Sequence, residues 1–216
     1  RDMPDWVRRS RAHGGVHLNT WLASEGKPIP EAVPARPFNR ENVQKYFDHL
    51  STLLAVDDSL GRVMEALEAN GLLDNTVVIV TADNGFFLGE FARGDTRLPY
   101  EPSIRVPMIL HYPPLGRSGE RISAIGLNVD FAPTLIDWAG LSVPETMQGQ
   151  SLLPVLLGQM KAVRLHFLYT YFQEEYAPGI PTILALRTNR WKYVQYPYEP
   201  GAIEELYDLQ SDPHEQ

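Results

Sequence analysis

The strongest constraint on the fold is the run Thr76-Val77-Val78-Ile79-Val80-Thr81-Ala82 and the Asp83-Asn84-Gly85 triplet that ends it. β-Branched residues that are apolar on both faces suit a central parallel strand covered by helices. A second such run, Val106-Pro107-Met108-Ile109-Leu110-His111-Tyr112, stops at Pro113-Pro114. Ahead of the first run, Tyr46, Leu50, Leu53, Leu60, Met64 and Leu67 recur at helical spacing between Glu41 and Asn70, and Gly71 supplies the stop. After the second, Asn128 or Asp130 is placed to cap a helix through Phe131, Leu135, Ile136 and Trp138, which Gly140 ends. Alternating strand and helix predicts an α/β layer architecture.

Beyond about Met160 the pattern changes. Leu165 to Phe172, Thr182 to Leu186, Trp191 to Tyr196 and Glu205 to Leu209 read as short strands, and Thr188-Asn189-Arg190 reads as a hairpin turn. The expected organisation is a loop-rich segment over 1–40, broken by Pro4, Pro28, Pro30, Pro34 and Pro37, then an α/β part over 41–160. A small, mostly antiparallel α+β lobe follows over 161–216. A chain of 216 residues with 44% hydrophobic content can bury one substantial core.

Ligands of open α/β sheets gather outside the carboxyl ends of the strands, which is where Asp83 and Asn84 stand. A carboxylate and an amide oxygen are hard donors, suited to calcium or magnesium. Two oxygens do not complete such a site, since calcium takes about six or more. Taken alone, Asp-Asn-Gly is more often a common turn than a metal site. The polar loop of Gly89, Glu90, Arg93, Gly94, Asp95 and Arg97 between two buried strands favours function there. Asp57 lies on the apolar stripe of the first helix, so it is expected to accept buried hydrogen bonds. The six histidines show no ligand spacing, and His111 at a strand end is the least readily dismissed. Trp191, Tyr193, Tyr196 and Tyr198 suit either a sugar-binding rim or hairpin packing. A formal charge of −8 argues against a nucleic-acid partner. The absence of cysteine removes disulfides, thiolate metal sites and a cysteine nucleophile from these residues. No apolar run approaches the roughly 20 residues of a membrane-spanning helix, and Arg1 suggests a start inside a longer protein.

The segment from Thr81 to Glu90, with Tyr100-Glu101-Pro102-Ser103-Ile104-Arg105-Val106-Pro107, resembles the sulfatase pattern T-[SA]-D-N-G-x-x-L-G-E-H … K-R-x-x-Y-E-E-S-I-R-V-P. Further blocks agree in order. They are Leu54 to Val63, Val129 to Leu135, Gln148-Gly149-Gln150-Ser151-Leu152, Arg187 to Tyr193, and Glu205 to Pro213. The likeness covers nearly all of residues 40–216 and implies the C-terminal portion of an alkaline-phosphatase-like sandwich that hydrolyses sulfate esters. It implies a Ca2+ ion held in part by Asp83 and Asn84, and a formylglycine nucleophile made from Cys or Ser in a C/S-x-P-x-R motif. The implied partner is a sulfate-ester small molecule or a sulfated carbohydrate, together with the upstream part of the same protein. The compartment is open, the resemblance pointing to a periplasmic or secreted parent.

Three departures qualify the likeness. No C/S-x-P-x-R motif occurs in these residues, so the chain alone is expected to be inactive. Thr96 stands where the family has a sulfate-binding Lys, and Phe91 where it often has His. A hydroxyl cannot supply the Lys charge, and Arg97 beside it is the candidate substitute. Two alternatives stand beside the sulfatase reading. A phosphoester or phosphonate hydrolase of the same superfamily is disfavoured by Asn84, where Asp-His is usual, and a non-catalytic sulfatase-like domain is favoured by Thr96 and Phe91.

Overall fold

A computed structural model describes residues 40–88, 90, 96–177, 179–199, 201 and 204–215. The loop-rich segment expected at the start and Phe91 lie outside the described residues. The helical periodicity becomes α1, Arg40–Ala69. Gly71, at φ 65°, ends it in a Schellman motif: its N–H donates to the Glu68 carbonyl and that of Leu72 to the Leu67 carbonyl. Asp57 does not behave as expected. From Tyr46 to Ser59 every position of α1 is exposed, so among the described residues no element encloses the Asp57 carboxylate and it needs no buried donors.

The two apolar runs become β1, Val78–Thr81, and β2, Met108–His111. They pair antiparallel, with Val78 opposite His111 and Thr81 opposite Met108, rather than lying in a parallel sheet. The physical reason is the connection. A parallel pair needs a long crossover, usually a helix across one face. Among the described residues this connection holds only the single turn α2, Glu101–Ile104. β1 is half-buried up to Val80, while Met108 and Ile109 of β2 remain exposed. The helix α3, Phe131–Trp138, and the short α4, Leu153–Leu156, follow.

The lobe is a four-stranded antiparallel meander: β3, His166–Tyr171; β4, Ile183–Thr188; β5, Trp191–Gln195; and β6, Glu205–Asp208. The β4–β5 hairpin turns where expected, and Thr188 Oγ1 accepts the Trp191 N–H at 2.8 Å. Its inner face, Ile183, Ala185, Val194 and Tyr207, shares one core with Phe87, Leu98, Tyr100 and Ile180. Phe87 and Leu98 have no exposed surface, and each such side chain contributes about 1.5–3 kcal/mol through burial. The lobe is therefore built around residues that follow β1. No helix among the described residues is long and apolar enough to cross a membrane.

Charges lie inside this core. Lys192 Nζ pairs with Glu101 at 2.8 Å and with Glu215 at 2.6 Å, and Arg187 pairs with Glu101 at 3.1 Å. Burial opposes ionisation of Glu101, but the Arg187 hydrogen bond and the Lys192 charge outweigh it and hold the carboxyl below its usual value. A carboxyl held low contributes stability that is complete above its unfolded value, 4.5 here, and is lost as pH falls through the folded one. The melting-temperature gap between the full-length protein and its Glu101→Gln variant is thus expected to hold from neutral pH to about 5 and to narrow below about 4.5. Thermal melts across that range check this; a gap unchanged at the acid end contradicts it.

Candidate functional site

β1 delivers its last residues to the mouth of a cavity of about 1660 Å3, lined among others by Asp83, Asn84, Thr96, Ser103, Arg105 and His111. Asp83 is exposed, and its Oδ1 accepts the Asn84 N–H at 2.8 Å. That bond fixes the carboxylate against its own backbone, and no other described residue holds the second oxygen. Asn84 Nδ2 donates to the Gly85 carbonyl at 2.7 Å, and among the described residues the amide oxygen accepts no hydrogen bond. A brace comes from a distance: Asn128 Nδ2 donates to the Asp83 carbonyl at 2.6 Å and to the Ala82 carbonyl at 3.3 Å.

Asn128 opens the short turn ahead of α3 and is not its cap; Asp130 holds the N-cap position, but its side chain makes no capping hydrogen bond to α3. Asp130, the other cap candidate, is a fully buried anchor. Its oxygens accept the N–H groups of Leu127 (2.8 Å) and Gln150 (2.9 Å) and both terminal nitrogens of Arg164, while its carbonyl accepts the Thr134 hydroxyl.

Gly85 is required for proximity, since its φ is not positive. A Cβ there would lie 2.1 Å from the Pro102 carbonyl oxygen and 3.0 Å from that of Ser103. Gly85 N–H donates to the Ser103 carbonyl at 2.7 Å, so α2 is pressed directly against the turn. Ser103 Oγ in turn donates to the Thr96 carbonyl, tying the far side of the loop to the same helix.

The structure brings Asp83, Asn84 and Thr96 to one cavity. Arg97 is directed elsewhere: its guanidinium lies 3.4 Å from Glu174 and 5.6 Å from the centre of the Tyr176 ring, and its carbonyl accepts the Tyr169 hydroxyl. The Tyr176 hydroxyl is the largest of several influences that hold Glu174 below its usual value. His111 ends β2, half-buried, with its Nε2 enclosed and without a partner among the described residues. Among the described residues no group of three or more His, Cys, Asp or Glu side chains is placed to hold a metal ion. Asp83 and Asn84 bring one carboxylate and one amide oxygen, hard donors that would make up only part of the ligand set of a divalent cation. Asn128, expected only as a helix cap, and Ser103, expected only as part of a matching block, reveal their bracing roles in the structure alone, since nothing beside them in sequence marks Asp83 or Thr96 as their partners.

Two family models match: Sulfatase over residues 12–141, and N-sulphoglucosamine sulphohydrolase, C-terminal, over residues 89–216. An N-acetylglucosamine-6-O-sulfatase of Bacteroides thetaiotaomicron is 41% identical over 176 residues, 80% of this chain and 31% of that protein. Arylsulfatase K of Bos taurus is 32% identical over 99% of this chain and 38% of its own length. A protein solved in complex with its substrate, D-glucosamine-2-N,6-O-disulfate, superposes with a TM-score of 0.72 at 41% identity, over 78% of this chain and 34% of that one. The chain thus spans about a third of the length of these relatives. Their alkaline-phosphatase-like fold accommodates the mixture of helices and antiparallel sheets found here.

Proposed function

Because the chain belongs to the sulfatase family, we propose that it is the C-terminal portion of a sulfuric ester hydrolase in which Asp83 and Asn84 form one edge of the divalent-cation site. The carrying observation is the braced Asp83-Asn84 turn at the end of β1, with a carboxylate oxygen and an amide oxygen that no other described residue holds beside the cavity. The family is in general dependent on a divalent cation, and this all-oxygen pair favours Ca2+. When bound, the cation polarises the ester oxygens.

The chain's own residues then hold and orient. Asp83 and Asn84 fix one side of the cation, and Asn128 holds their backbone. Thr96 offers a hydroxyl to a sulfate oxygen. Arg97 adds charge there once its guanidinium leaves Glu174. The nucleophile comes from outside these residues, which hold no C/S-x-P-x-R motif. The names of the relatives support a sulfated carbohydrate as the substrate class. A division into an α/β part over 41–160 and a lobe over 161–216 belongs to the same proposal.

The test is Asp83→Ala in the full-length enzyme, with cation binding followed by titration calorimetry and turnover on a sulfate ester. Both are expected to fall by at least about a hundredfold. Binding and turnover within twofold of the unsubstituted enzyme would reject the assignment. In the same assay Arg97→Ala is expected to raise KM for the ester, and an unchanged KM removes Arg97 from the site.

A further inference from the structure

α2 is a single helical turn, yet it is held at both ends by groups from separate parts of the chain, from Gly85 to Glu215. At its start the Glu101 N–H donates to Glu215 Oε2 at 2.7 Å. The Glu101 side chain meets Arg187 at 3.1–3.2 Å and Lys192 at 2.8 Å, and Lys192 closes the circuit with Glu215 at 2.6 Å. At its other end the Ser103 carbonyl accepts the Gly85 N–H, and Ser103 Oγ donates to the Thr96 carbonyl. One helical turn therefore touches both sides of the candidate site, while its start is anchored in β4, β5 and the C-terminal segment.

The anchor is dry. The Lys192 and Glu215 side chains have no exposed surface, and that of Glu101 is 10% exposed. Buried ion pairs are weak devices for stability, because desolvation offsets much of their attraction and apolar replacements are often as stable. They are directional, however, and a charged hydrogen bond sets a separation more tightly than apolar contact does. Gly85 leaves no slack on the opposite side, since the Pro102 carbonyl already occupies the space a Cβ would take. A displacement of Glu101 would pass through α2 to the Asp83-Asn84-Gly85 turn.

We propose that Lys192, Glu215 and Arg187 are positioning residues for the catalytic site: by fixing Glu101 they set the place of α2, and through α2 the spacing between Asp83-Asn84 and Thr96. The inference rests on the reading of Asp83 and Asn84 as cation ligands. It assigns to the lobe a part in metal binding that does not require contact with the metal.

The experiment uses the full-length enzyme with Lys192→Met, the charge-neutral pair Lys192→Met with Glu215→Gln, and Ser103→Ala, with Asp83→Ala as reference. Ca2+ affinity is measured by titration calorimetry well below the melting temperature of each variant, alongside kcat and KM. Lys192→Met and Ser103→Ala are expected to weaken Ca2+ binding by about tenfold or more, with the loss of turnover in kcat rather than KM. The neutral pair is expected to recover melting temperature without recovering Ca2+ affinity, a separation that a merely structural role would not produce. If Ser103→Ala and the neutral pair both bind Ca2+ within twofold of the unsubstituted enzyme while Asp83→Ala does not, the positioning role is overturned and the ligand assignment stands. If Asp83→Ala also binds normally, the underlying assignment fails.

Discussion

Alanine at position 85 is expected to lower stability by about 2–4 kcal/mol and to remove cation binding with it. The added methyl group would lie 2.1 Å from the Pro102 carbonyl oxygen, 3.0 Å from the Pro102 carbonyl carbon and 3.0 Å from the Ser103 oxygen. All three are backbone atoms, so no side chain can rotate away. Either α2 or the turn must move, and the 2.7 Å bond from the Gly85 N–H to the Ser103 carbonyl is lost in both cases. Gly61, inside α1 with nothing within 4 Å of its would-be Cβ, is the internal control. Alanine there is expected to stabilise by about 0.5–1 kcal/mol. Denaturant titration and Ca2+ calorimetry on both variants check the pair, and a Gly85→Ala protein as stable as Gly61→Ala would show that α2 does not press on the turn.

The second large effect is expected at Asp130. Alanine there leaves the Arg164 side chain, 11% exposed, without its carboxylate, and orphans the N–H groups of Leu127 and Gln150. Losing one partner of a buried pair costs about 3–5 kcal/mol, mostly through the charge left behind. The double variant Asp130→Asn with Arg164→Met removes both charges and keeps one acceptor oxygen, enough for the N–H of either Leu127 or Gln150 but not both, and is expected to recover part of the loss. Equal destabilisation in the single and double variants would place the cost in the backbone contacts. Gly149 packs against the same segment, since a Cβ there would sit 1.9 Å from the Val129 carbonyl oxygen, so the region has little room to relax.

How much of this was legible before folding depends on how far apart the interacting groups lie. The end of β1 at Asp83-Asn84 was readable because a β-branched run and a turn are contiguous. The Thr188-Asn189-Arg190 hairpin was readable for the same reason. The direction of β2 was not, because an apolar run carries no mark of whether its neighbour runs parallel or antiparallel. Asp57 was assigned to a buried stripe on periodicity alone, and periodicity does not say which face finds a partner. The need for Gly85 was not readable, because its conformation is ordinary and the Pro102 carbonyl that leaves no room for a Cβ lies across the loop. The circuit of Glu101, Arg187, Lys192 and Glu215 joins residues scattered along the chain, and each alone looks like a surface charge.

The core that Phe87, Leu98 and Tyr100 share with β4, β5 and β6 bears on how relatives of this chain can be recombined. A crossover placed near residue 160 follows the change in sequence pattern, yet it would seat one parent's sheet on another parent's Phe87, Leu98 and Tyr100. It would also divide Glu101 from Lys192 and Glu215. A hybrid gene has to inherit the stretch from Phe87 to Ile104 together with the C-terminal strands, so the unit of exchange is discontinuous in the gene though contiguous in space.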